Sequence, residues 1–98
     1  MYDATLISDT TEGGVRRTAF RTCAVVCSEQ IDIETEGDVI KSVAYTRGCH
    51  GNTQGIAKLC QGMKIQDVID RLDGIDCKGR GTSCPDQLAR ALKQIKQQ

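Results

Sequence analysis

The chain has little of what usually builds a core. It contains no tryptophan, one proline, and only Tyr2, Phe20 and Tyr45 as aromatic residues. Ile, Val, Leu, Ala and Cys must therefore supply the interior, and at 98 residues such a core is marginal without a staple. Nor is there a surplus of positive or negative charge. Thirteen basic side chains balance thirteen acidic ones, so neither a nucleic-acid arm nor an anionic-membrane binder is expected. No apolar run approaches the length that spans a bilayer. The first fourteen residues lack a basic start followed by an apolar block, so no signal peptide is expected. The expected compartment is the cytoplasm, where clustered cysteines bind metal or do redox chemistry more often than they form structural disulfides. Length allows one small domain.

What is present is a readable order of elements. Residues 1–14 are polar and without periodicity, and read as a flexible N-terminal lead-in to a single domain over 15–98. Residues 16–27 are rich in Thr and Val and read as a strand reaching a turn at Cys27-Ser28. Residues 30–36 alternate, with Ile31, Ile33 and Thr35 on one side and Asp32, Glu34 and Glu36 on the other, as a half-buried strand requires. Gly37-Asp38 turns the chain into a returning strand over 39–46. The acidic run 29–38 is then a solvated strand face.

The second half reads as helices. Asn52 is placed to cap a helix whose apolar stripe is Ile56, Ala57, Leu59 and Cys60, with Gly62 beyond its end. Ile65, Val68, Ile69 and Leu72 follow the i, i+3, i+4, i+7 spacing of a second helix, and Gly74 stops it. Ser83, with Asp86 three residues later and Pro85 between them, announces a third, whose buried stripe is Leu88, Ala91, Leu92 and Ile95. Strands first and helices after predict an α+β fold: a three-stranded antiparallel sheet with about three helices on one face.

Six cysteines occupy positions 23, 27, 49, 60, 77 and 84. Four of them sit where the chain changes direction: Cys27 at a strand end, Cys49 between Gly48 and Gly51, Cys77 before the loop Lys78-Gly79-Arg80-Gly81, and Cys84 at a helix start. Glycine-bearing turns let thiols converge as a metal site needs, and a helix N-terminus favours the thiolate at Cys84. No C-x-x-C pair exists, so the spacing alone leaves metal binding, inert buried thiols and dithiol redox chemistry all open. Cys60 reads as plain packing, Cys23 as a strand filler and His50 as an exposed loop side chain. The segment 79–83 lacks the phosphate-loop pattern, and no hydrolytic constellation can be assembled.

The string Gly81-Thr82-Ser83-Cys84-Pro85-Asp86-Gln87-Leu88-Ala89 carries the signature that names the TSCPD domain. Val26-Cys27-Ser28, Gly48-Cys49 with Gly51-Asn52, Gly62-Met63 and Ile75-Asp76-Cys77 agree with it in order, and residues 20–95 resemble a stand-alone TSCPD protein of the small bacterial type. The resemblance implies a metal site made of Cys27, Cys49, Cys77 and Cys84, holding zinc or an iron–sulfur cluster. It also implies a link to cobalamin-dependent ribonucleotide reductases, which carry this domain at their C-terminus. The chain has none of a reductase's barrel, radical cysteines or cobalamin site. It is therefore expected to act beside such an enzyme rather than to reduce a nucleotide itself. A fainter similarity, to U-type iron–sulfur scaffolds, matches Cys27, Cys49 and Cys84 and implies an iron–sulfur-scaffold-like fold. It suggests a metal carrier as the alternative function, and a dithiol redox protein remains a further one.

Overall fold

Strands β1 (Thr5–Glu12), β2 (Val15–Arg21), β3 (Ser28–Glu36) and β4 (Val39–Arg47) are followed by helices α1 (His50–Cys60), α2 (Ile65–Leu72) and α3 (Cys84–Lys96). This is a computed structural model that describes residues 3–23, 26, 28–47, 50–76, 79 and 81–97. The strands form one antiparallel meander in the order β1-β2-β3-β4. The α+β class is as expected, but the sheet has four strands and not three.

The additional strand is β1, drawn from the segment read as a lead-in. All eight of its residues are exposed, so burial imposes no apolar alternation that could be seen in the sequence. A glycine pair closes its hairpin. Gly13 and Gly14 both adopt positive φ, 60° and 82°, which a two-residue type I′ turn requires and glycine allows without strain.

β3 buries Ile31, Ile33 and Thr35 as its alternation predicts. Phe20 pairs with Ile31 and Thr18 with Ile33 on β2, so the same face continues across the sheet. In β4 the register slips between Glu34–Ser42 and Thr35–Ile40. This bulge accommodates Lys41 and lets Ile40 and Val43, three residues apart, both turn inward. The opposite face is polar: Arg17 donates to Glu34 at 2.8 Å, and the Ser42 hydroxyl donates to the same carboxylate at 2.8 Å.

β2 ends at Arg21, earlier than expected. The Thr22 hydroxyl donates to the Ser28 carbonyl at 2.5 Å and its N–H to the Glu29 carbonyl at 3.1 Å, closing the connection to β3. Cys23 therefore lies in this connection, half-buried, and not on a strand. Helix α1 begins at His50, so Asn52 lies inside it rather than capping it. Packing of Ile56, Ala57 and Cys60 against the core outweighs the poor helix propensity of Gly51 and Gly55.

One core joins the sheet's inner face (Phe20, Ile31, Ile33, Ile40, Val43) to α2 (Ile65, Val68, Ile69) and α3 (Leu88, Ala91, Leu92, Ile95). The link between α1 and α2 also closes one sheet edge. Gly62 N–H donates to the Ile40 carbonyl at 2.8 Å, and Ile40 N–H to the Met63 carbonyl at 2.9 Å. Among the described residues no helix is long and apolar enough to cross a membrane.

Candidate functional site

The site is built from the first turn of α3. Ser83 is the N-cap: its backbone is extended, and its hydroxyl oxygen accepts from Asp86 N–H at 3.1 Å while its O–H donates to the Ile75 carbonyl at 2.6 Å. That satisfies one orphan donor of the helix and fastens the 75–76 segment to it. Pro85 occupies the first turn, where a missing N–H needs no partner.

Asp86 does not complete a reciprocal capping box. It turns inward, is 1% exposed, and accepts from Gly74 N–H at 2.7 Å, the Thr82 hydroxyl at 2.5 Å and Arg90 Nε at 2.8 Å. Burial pushes its carboxyl upward. The bonds from Thr82, Arg90 and Gly74 outweigh that and leave it below its ordinary pKa. Gln87, also fully buried, donates to the Thr82 hydroxyl at 3.1 Å and accepts Cys23 N–H at 3.0 Å. The network ties two other parts of the chain, Cys23 and 74–75, to one helix end at 82–87. Four of the five residues in Thr82-Ser83-Cys84-Pro85-Asp86 thus have a structural duty, and the fifth is held by them.

That fifth residue is Cys84, a free, half-buried thiol. The Ser28 hydroxyl lies 3.2 Å from its sulfur, and the Tyr45 hydroxyl donates to its carbonyl at 3.1 Å. Burial is the main cause that pushes the Tyr45 phenol well above its usual pKa, with the nearby thiols adding to it. The phenol is therefore a fixed donor at neutral pH. Neither Ser28 nor Tyr45 was singled out by sequence reasoning. A signal existed for Tyr45: two residues after Val43 on β4, it had to share the buried face, where its polar tip needs a partner.

Of the expected ligand set Cys27, Cys49, Cys77 and Cys84, the first three lie outside the described residues. Residues bordering them do converge. Ser28, which follows Cys27, pairs with Arg47, two residues before Cys49, at the start of the β3–β4 ladder. Ser28 also contacts Cys84, and Ile75, two residues before Cys77, is bonded to Ser83. Arg47 adopts φ 63°, a left-handed conformation costing a non-glycine residue about 1–2 kcal/mol, so the last residue of β4 is strained. An open groove of about 660 Å³ beside this end is lined by Thr22, Cys23, Val26 and Ser28, with Arg21 and Thr46.

Cys60 stands apart from this end. Cys60 is 3% exposed inside the apolar cluster, as expected for plain packing, and burial raises its thiol pKa. Among the described residues, no group of three or more His, Cys, Asp or Glu side chains is arranged to hold a metal ion.

Comparison with curated proteins and with solved structures found no match. The family profile of the TSCPD domain matches residues 3–96, a span that takes in β1 as well as the cap of α3. Nearly the whole chain is one such domain, and the protein belongs to the TSCPD-domain family.

Proposed function

We propose that this protein is a metal-binding accessory module in which Cys27, Cys49, Cys77 and Cys84 together hold zinc or an iron–sulfur cluster. One observation carries the reading. The residues bordering all four cysteines are tied together at one end of the fold through Ser28–Arg47, Ser28–Cys84 and Ser83–Ile75. The donor chemistry fits. Four thiolates are the usual ligands of a closed tetrahedral zinc site and of an iron–sulfur cluster. The one member of the set described here, Cys84, is a free thiol held against a hydroxyl rather than packed in oil. Metal bound there contributes folding free energy directly, which suits an aromatic-poor core.

The partner implied by the family resemblance is a ribonucleotide reductase, beside which the module would act. The deciding experiment is elemental analysis with a visible spectrum, on protein purified anaerobically without chelators. About one zinc per chain and no colour supports the structural module. Iron with visible absorbance supports the cluster. Metal-free protein in which the thiols of Cys27, Cys49, Cys77 and Cys84 all react freely in the native state overturns the reading. Loss of the metal in Cys84→Ser, with the helical signal retained, assigns the ligand. Capture of a reductase subunit from native cells tests the partner separately.

A further inference from the structure

We propose that Ser28 is a positioning residue that donates a hydrogen bond to the Cys84 sulfur and tunes it as a metal ligand. This inference rests on the metal reading above. Ser28 is 3% exposed, and its hydroxyl lies 3.2 Å from the Cys84 sulfur. A hydroxyl taken out of water needs a hydrogen-bond partner. A neutral thiol is a weak acceptor, whereas a thiolate, free or metal-bound, makes the stronger charge-assisted bond. The Ser28 hydroxyl is therefore placed to donate to the sulfur of a metal-bound Cys84.

The two groups are held in place independently. The Ser28 carbonyl receives the Thr22 hydroxyl, and Ser28 opens the β3–β4 ladder opposite Arg47. Cys84 is fixed by the Ser83 cap and by Tyr45 on its carbonyl. Two groups on separate rigid elements, 56 positions apart in sequence, thus arrive in contact with little freedom left to lose. Such a donor orients the sulfur and withdraws electron density from it, as outer-shell partners do around metal ligands.

The test uses Co²⁺ as the probe on full-length, metal-stripped protein kept under reducing conditions. The unmodified protein, Ser28→Ala and Ser28→Thr are compared. Removing the hydroxyl is expected to weaken Co²⁺ binding by about tenfold and to move the sulfur-to-cobalt charge-transfer band to longer wavelength, because an unbonded thiolate is the better electron donor. Ser28→Thr, which keeps the hydroxyl, should restore both. Should Ser28→Ala not fold, Ser28→Gly serves as the second hydroxyl-free variant.

A merely structural role would lower the melting temperature of the metal-free protein while leaving the band position and affinity unchanged, and that result overturns the proposal. A band in the unmodified protein that is identical in Ser28→Ala removes this inference alone. The complete absence of a sulfur-to-cobalt band in the unmodified protein removes the metal reading and this inference with it.

Discussion

Cys60 and Cys84 are the same side chain at opposite ends of helices, and they live in different chemistry. Cys60 closes α1 inside the apolar cluster, where burial raises its pKa and the thiol behaves as a small hydrophobe. Cys84 opens α3 among oxygens: the Ser28 hydroxyl at its sulfur, the Tyr45 hydroxyl at its carbonyl and the Ser83 cap behind it. The difference teaches that a cysteine's duty is set by what its neighbours offer the sulfur.

The comparison breaks hardest at Asp86, which holds the Cys84 end together. Asp86→Ala leaves Gly74 N–H, the Thr82 hydroxyl and Arg90 Nε without their acceptor. It should cost about 3–5 kcal/mol in chemical denaturation. The same carboxylate gives the fold a pH dependence. Its folded pKa lies below the unfolded value, so its contribution is fully present above the unfolded carboxylate pKa of about 3.9. That contribution is lost as pH falls through the lower, folded pKa. Urea midpoints taken down the acid limb should fall less steeply in Asp86→Asn than in the unmodified protein.

Exchanging sulfur for oxygen sharpens the contrast between the two thiols. Cys60→Ser puts a hydroxyl into the apolar cluster and should cost about 1–3 kcal/mol, with no effect on metal content. Tyr45→Phe removes the donor to the Cys84 carbonyl and should cost about 1 kcal/mol. Cys84→Ser should move the stability of metal-free protein least, by about 0.5 kcal/mol, yet abolish metal binding. Equal losses of stability from the two serine variants, measured without metal, would erase the distinction drawn here.

Parts of this fold were plain in the sequence because one local rule governed them. The alternation of Ile31, Ile33 and Thr35, the helical spacing of Ile65, Val68, Ile69 and Leu72, and the Ser83 cap are each written within about ten residues, and each stands as read. β1 was missed because an exposed edge strand has no buried face to betray it. The end of β2 was misplaced because Thr22, not a glycine or proline, closes the connection. Asn52 looked like a cap, but the helix starts two residues earlier and is held by contacts to a sheet remote in sequence.

The sequence by itself determined the class of the fold, the family, and the cysteine set worth watching, since periodicity, capping and a short motif act over neighbouring residues. Only tertiary structure decided what the motif is for. Remote partners of Asp86, Gln87 and Cys84 come from the β2–β3 connection, β3, β4 and the turn after α2. Chain folding brings such groups together through burial and hydrogen-bond satisfaction, which no local spacing records.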